Sequence, residues 1–404
     1  MRRLLISAFM VAAGLTAVAA TAVPFGKGQL TVTPVARNAV RVQYTETQTK
    51  SDLPDWLYIR HDEVKDCAVG IVIDKKRQRL LLTDKQGRGV FTATSHQMAG
   101  TEATLTFASA KDECLYGLGQ FQDGFSNVRG LSRRLTQVNT QISLPMLLSS
   151  KGYGVLWNNY GLTEFNPCSQ SVPLTANSQQ PTANSQEVVN VTTTEGSRQE
   201  VRRRNVFEAT IDVKEAGDYA LLLDVGQKMA RRHNLTIDGQ TVIEMQNMWL
   251  PPTASTIVRL EKGQHKVAAE LSGGDQPVLF YNKVKDETTF RSPIADGVDY
   301  TVFIGSADEV IATYRELTGP CPLMPSWALG YIHCRERFHS SQEILETANR
   351  FRSEQMPLDV IVQDWQYWGK YGWNSMKFDE EFYPDPKALT DSLHRMGVRL
   401  MVSV

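Results

Sequence analysis

Residues 357–372 read PLDVIVQDWQYWGKYG. Pro357 opens the stretch, and Leu358, Val360, Ile361 and Val362 form its apolar core. The β-branched run at 360–362 has no polar alternation, which suits a strand buried on both faces, as in a parallel sheet. The run stops at a lone carboxylate, Asp364, followed by Trp365, Tyr367 and Trp368. Ligands of parallel α/β folds bind at the carboxyl ends of the strands. This reading places Asp364 at such an end with indole rings beside it. A carboxylate that accepts hydroxyl hydrogen bonds next to a flat apolar wall is the chemistry a sugar ring needs. The same residues also describe a buried strand that ends in an Asx turn, with the aromatics capping a core.

Moving outward, the flanking sequence alternates strand and helix. Residues 328–333 read as a strand. Ser340 caps a helix with Glu343 as its capping-box partner, and Ile344, Leu345, Ala348 and Phe351 form the buried face. Glu346 and Arg350 are spaced for an i,i+4 pair. Asp385-Pro386 begins a second helix with proline at its first position. Leu389, Leu393 and Met396 form its stripe, Gly397 ends it, and residues 398–404 read as a third strand. The order β-α-β-α-β implies parallel strands joined by right-handed crossovers. Three strands and two helices leave a large apolar face open, so the expectation is the N-terminal part of a longer protein.

The sequence upstream is of another kind. Residues 30–33 and 40–44 alternate at period two about a turn at Arg37-Asn38, and further short strands fit 70–74, 89–94 and 103–107, a pattern that argues for a β-sandwich. Residues 115–130, LYGLGQFQDGFSNVRG, carry four glycines and read as a loop. They are not a phosphate-binding loop, because no helix follows and the lysine is missing. TANSQ occurs at 175–179 and again at 182–186 within a polar stretch read as a linker. From Phe207 a second β unit begins, with a hairpin turn at Asp238-Gly239 and an end near Gly273. His265 sits in a turn with no second ligand nearby and is not read as a metal ligand. The sandwich then resumes, with a strand at 298–304 and a helix capped by Ser306 and Glu309. Gly319 occupies its C-terminal cap position.

Composition narrows the class. Lys plus Arg total 43 and Asp plus Glu 44, for a net charge of −1, which gives no electrostatic case for nucleic acid or an anionic membrane surface. Arg2 and Arg3 precede an apolar run at 4–15 and small residues at 17–22, which reads as a secretory signal peptide. No later run is long enough to span a bilayer. An exported, periplasmic or extracellular protein is expected. The 5 cysteines are widely spaced and lack metal-ligand spacing; they read as mostly buried free thiols. No cofactor and no metal are expected.

Four colinear stretches carry a resemblance: YGLGQFQDG (116–124), LPMLLSSKGYGVLWNN (144–159), YRELTGPCPLMPSWALGY (314–331) and VIVQDWQYW (360–368). Together they resemble glycoside hydrolase family 31, the last most closely its α-xylosidase branch. EAGDYALLL, LTIDGQ and LEKGQH, within residues 207–272, resemble a PA14 module. With the signal peptide taken as 1–22, the resemblance implies a multidomain chain with a β-sandwich at 24–170 and 274–320. A PA14-like β domain is inserted at 195–273, and the first strands of a (β/α)8 TIM barrel, truncated, occupy 321–404. It also implies a retaining mechanism on α-linked glycosides such as α-xylosides of xyloglucan oligosaccharides, with an α-glucosidase of the same family as the alternative. A non-catalytic carbohydrate-binding protein stands as a second class. Both catalytic aspartates of the family would lie beyond Val404, so no catalytic residue is assigned. By resemblance Asp364 holds hydroxyls of the terminal sugar, Trp365 walls that pocket, and Phe338 adds an aromatic contact. Arg335 and Arg337 fit a structural ion-pair cluster as well as sugar ligands. Asp379 and Asp385 read as turn and helix caps.

Overall fold

The computed structural model describes residues 20–46, 55–59, 64, 66–176, 186–193, 196–335 and 337–404. Most of the expected signal peptide, much of the TANSQ repeat and Glu336 lie outside these residues. The chain divides into two compact units. One is Met1–Glu187 with Val201–Pro320, the other Val188–Glu200 with Cys321–Val404.

In the first unit, two antiparallel seven-stranded sheets form a sandwich. One runs in the order Thr21–Phe25, Gly28–Ala36, Ala39–Thr45, Val298–Ile304, Tyr153–Trp157, Ile142–Ser149 and Leu115–Gln120. The other runs Gly70–Asp74, Arg79–Thr83, Gly89–Ala99, Glu102–Ala108, Glu287–Ser292, Thr163–Phe165 and Arg133–Leu135. Period-two alternation sends Leu30, Val32, Val40 and Val42 of the first sheet, and Leu80, Leu82, Phe91 and Phe107 of the second, into one core. The helix Ala307–Thr318 begins with the expected box between Ser306 and Glu309 and ends at Gly319, whose φ of 103° favours glycine. Its Val310 and Leu317 pack with Ala39, Tyr58 and Phe303.

His96 lies inside the sandwich, with Nε2 2.8 Å from the Tyr300 hydroxyl and Nδ1 unpartnered among the described residues. Burial lowers its pKa from 6.5 to about 4. The fold therefore favours neutral His96. Its contribution is complete above pH 6.5 and is lost as the pH falls toward 4. The loss amounts to about 3 kcal/mol, at 1.36 kcal/mol per unit. Urea unfolding between pH 7 and 4.5 is expected to show this decline, and His96→Gln is expected to flatten it. An unchanged slope in the variant would assign the acid sensitivity to other groups.

The second β unit has its own core, which includes Phe207, Ile211, Tyr219, Leu221, Leu235 and Leu279. One sheet joins Gln170–Pro173, Val278–Lys283, Gly217–Asp224 and Thr253–Leu260. The other joins Thr175–Ala176, Gly196–Val213, Gly263–Ser272, Ala230–Ile237 and Gln240–Leu250, with Gln186–Thr193 paired to Gly196–Val213. Asp238 and Gly239 both take positive φ, 50° and 81°, as a type I′ turn requires. This unit is wider than the 195–273 read from sequence. Val278–Lys283 pairs with Gly217–Asp224, and Gln170–Pro173 is a strand rather than linker. An edge strand is specified by main-chain hydrogen bonds, so its polar side chains gave no apolar signal.

The seam with the sandwich is polar and specific. Arg134 pairs with Asp224, lies 3.7 Å from Glu164 and stacks 5.2 Å from the Phe280 ring. Ser255 donates to the Ser132 carbonyl, and Thr140 donates to the Trp249 carbonyl at 2.6 Å. Excision of residues 169–285 with a short Gly/Ser bridge joins neighbours, because Asn166 and Thr289 already exchange hydrogen bonds. The excised chain is expected to keep one cooperative thermal transition for the sandwich. Excision of 195–273 strands Val278–Lys283 without its sheet and is expected to lower the melting temperature further.

In the second unit, Ile332–Cys334 (β1), Val360–Gln363 (β2) and Arg399–Val402 (β3) form a parallel sheet with β2 in the centre. All four residues of β2 are buried. Ser341–Ser353 (α1) and Pro386–Arg395 (α2) are the crossovers. Ile344 and Ala348 of α1 share a core with Ile361 of β2 and Leu389 and Leu393 of α2. Several local details differ from expectation. Residues 326–329 make a single 3-10 turn, and the strand begins only at Ile332. Asp359 fixes this entry, accepting from the Tyr331 N–H at 2.9 Å and pressing against Gly330, where a Cβ would sit 2.1 Å from its carboxylate. Ser340 accepts from the Glu343 N–H, but Glu343 reaches back to the His339 N–H, one residue before the cap. Arg350 pairs with Glu354, and Glu346 takes Gln342 instead. The cysteines are free, but only Cys67 is buried, and Cys321 and Cys334 are exposed. Among the described residues no helix is long and apolar enough to cross a membrane.

Candidate functional site

The carboxyl edge of the parallel sheet gathers three chain segments. β1 ends at Cys334, which is level with Val362, and Gln363 is level with Val402 of β3. Asp364 follows β2 directly and is half-buried. No hydrogen bond or ion pair to its carboxylate is made by the described residues. Burial, and then the Asp364 charge, push the neighbouring Cys334 thiol up. An open carboxylate on a rigid strand end is an acceptor for ligand hydroxyls. In the Asx-turn alternative its oxygens would be occupied by local N–H groups.

Trp365 is half-buried beside Asp364. Its ring meets Trp368 at 5.3 Å and 75°, and Trp373 at 5.4 Å and 64°. Its indole N–H has no partner among the described residues. Trp373, 66% exposed, belongs to the same aromatic wall. The sequence reading did not single it out, because a tryptophan ten residues past a strand carries no periodic signal.

Phe338 is placed differently from the reading. Its ring is 1% exposed, in the α/β core, beneath the Arg335 guanidinium at 4.6 Å. A ring buried there offers no open face to a ligand. Arg335 pairs with Glu343 of α1, as an ion-pair cluster would. Asp379 is buried, accepting from the Lys370 and Glu381 N–H groups at 3.0 Å each. These bonds hold its carboxyl below the usual range. Asp385 caps α2 through the Ala388 N–H at 2.8 Å. Asp379 has both carboxylate oxygens engaged, and Asp385 uses its Oδ1 as the cap. Among the described residues no cluster of three or more His, Cys, Asp or Glu is arranged to hold a metal. A cleft of about 710 Å³ in the first unit is lined by Arg37, Asp84, Arg88, Lys151 and Glu309 but by no aromatic ring, so a sugar finds nothing there to stack on.

Residues 321–404 match the family model described as the glycosyl hydrolases family 31 TIM-barrel domain. An α-xylosidase of Saccharolobus solfataricus is 28% identical over 352 residues, covering 83% of this chain and 32% of its own length. Alpha-glucosidase 2 of Bacillus thermoamyloliquefaciens is 36% identical over 139 residues, 32% of this chain and 17% of its own. Among solved structures, the family 31 α-xylosidase of Xanthomonas citri gives a TM-score of 0.76 at 22% identity, covering 96% of this chain and 49% of that one. A family 31 α-xylosidase from a soil metagenome, complexed with xylose, gives 0.56 at 19% identity, with 95% and 45% covered. At these identities the structural likeness speaks to fold. The chain spans about a third of the first of these relatives and about half of the first of these structures.

Proposed function

We propose that this chain is part of a family 31 glycoside hydrolase and that the protein carrying it is an exported retaining α-xylosidase, a reading supported by the TIM-barrel match at residues 321–404 and by an α-xylosidase among its relatives. Its substrates are α-xylosides such as the xylose side chains of xyloglucan oligosaccharides. The observation that carries the reading is the open Asp364 carboxylate at the end of β2 with the Trp365 indole beside it. Asp364 binds hydroxyls of the terminal sugar. Trp365 fills the volume that the C5 hydroxymethyl of glucose would need. The nucleophile and the acid/base that retaining hydrolysis requires are assigned to neither residue.

An α-glucosidase of the same family is the second reading, favoured by the 36% identity to a glucosidase across part of the chain. The two differ by one hydroxymethyl, a difference that a pocket discriminates by about 1–3 kcal/mol. The test is kcat/KM on matched aryl α-xyloside and α-glucoside in the protein with its complete barrel. The xyloside is expected to be favoured, and Trp365→Ile is expected to gain up to ~10-fold on the glucoside. A wild type that hydrolyses the glucoside faster overturns the substrate assignment.

A further inference from the structure

Gln363 is a fully buried amide at the end of an apolar strand. A buried amide is costly unless its hydrogen bonds are made, and here they are made to three segments. Its Nε2 donates to the Phe338 carbonyl at 3.3 Å, after β1, and to the Trp365 carbonyl at 3.2 Å, in its own loop. Its Oε1 accepts from the Tyr383 hydroxyl at 3.0 Å, ahead of α2. Carbonyls only accept, so the amide can face them one way only. The Tyr383 hydroxyl has one proton, which is shared between the Gln363 Oε1 and the Phe338 carbonyl, 2.7 Å away. Burial keeps this phenol protonated, with its pKa well above the usual range. On the other side the Gln363 carbonyl takes the Ser403 N–H at 3.1 Å.

Immediately after Trp365 the chain turns through Gln366, a non-glycine residue at φ 58°. That left-handed conformation is held only when its surroundings over-determine it. The Gln363 bond to the Trp365 carbonyl fixes the peptide just before the turn. We propose that Gln363 and Tyr383 are positioning residues that set the direction of the Asp364–Trp365 pair. Neither touches a ligand; both act through the main chain on either side of the pair. The functional half of this inference rests on the sugar-binding reading of that pair.

The indoles of Trp365, Trp368 and Trp373 lie close enough, 5.3 and 5.4 Å in successive pairs, to give an exciton signal in far-ultraviolet circular dichroism. Trp365→Phe in the 404-residue chain defines the part of that signal owed to Trp365. Gln363→Met keeps the length and removes the amide, and Tyr383→Phe keeps the ring and removes only the hydroxyl. Each is expected to lose at least half of the Trp365-dependent signal while retaining a cooperative thermal transition. Should Gln363→Met fail to fold, Tyr383→Phe reads the same signal. Folded variants with the full signal overturn the proposal.

In the protein with its complete barrel, both substitutions are expected to lower kcat/KM on an aryl α-xyloside by about 10- to 100-fold, the scale of a small misplacement. The shape of the pH profile should be unchanged. If Asp364→Ala destroys activity while these variants leave both signal and activity intact, the positioning role falls and the sugar site stands. If the signal is lost and neither Asp364→Ala nor these variants changes activity, the sugar site falls and takes the functional half of the inference with it.

Discussion

Asp364→Ala, made in the protein with its complete barrel, is expected to lower kcat/KM on aryl α-xylosides by about 10²- to 10⁴-fold. Asp364 leaves both carboxylate oxygens free of protein donors among the described residues, directly after a strand whose four residues are all buried. A hydrogen bond to a charged group contributes about 1.5–3 kcal/mol, and a carboxylate that bridges two sugar hydroxyls makes two of them. Loss of both corresponds to about 3–6 kcal/mol in the transition state, converted at 1.36 kcal/mol per decade. Thermal stability should barely move, since no protein hydrogen bond is removed. Asp364→Asn, which keeps the shape and one acceptor, is expected to fall between wild type and Ala. An Ala variant within threefold of wild type, properly folded, would leave Asp364 as a turn residue and remove the observation on which the functional reading stands.

The 404-residue chain assayed by itself is expected to turn over neither aryl α-xyloside nor aryl α-glucoside above a mock preparation. A retaining mechanism needs two carboxyl groups about 5–5.5 Å apart, one as nucleophile and one as acid/base. Among the described residues near the carboxyl edge of β1–β3, three other carboxylates have protein partners. Glu343 holds Arg335 and the His339 N–H, Asp379 is sealed by main-chain N–H groups, and Asp385 caps α2. Asp364 has no such partner to work with. Turnover that disappears in Asp364→Ala would overturn this expectation and make Asp364 a catalytic residue.

Much of this molecule could be read from local chemistry. The unalternated run 360–362 specified a doubly buried parallel strand because only a covered strand tolerates apolar residues on both faces. Ser306, Asp385 and Gly319 marked helix ends because each satisfies main-chain groups within a few residues of itself. Asp238-Gly239 marked a hairpin because few residue pairs adopt two successive positive φ angles. Asp364 could be placed at a strand end for the same reason: its position is counted along one strand.

Tertiary structure alone decided what depends on partners distant in sequence. Phe338 and Trp365 are both aromatics just past a strand, yet one lies in the core under Arg335 and the other borders the open site. Sequence gives a ring's size, not which side of the sheet's edge it turns to. Arg350 has carboxylates four residues away in either direction, Glu346 and Glu354, and only the packed helix end selects Glu354. The second β unit reaches from Gln170 to Lys283 because Val278–Lys283 pairs with Gly217–Asp224 and sends Leu279 and Tyr281 into the same core, while main-chain pairing adds the polar edge strand Gln170–Pro173. Gln363 looked like the polar end of an apolar run. It is the point where the segments after β1 and β2 and ahead of α2 meet, a role set by side-chain hydrogen bonds to residues up to 25 positions away.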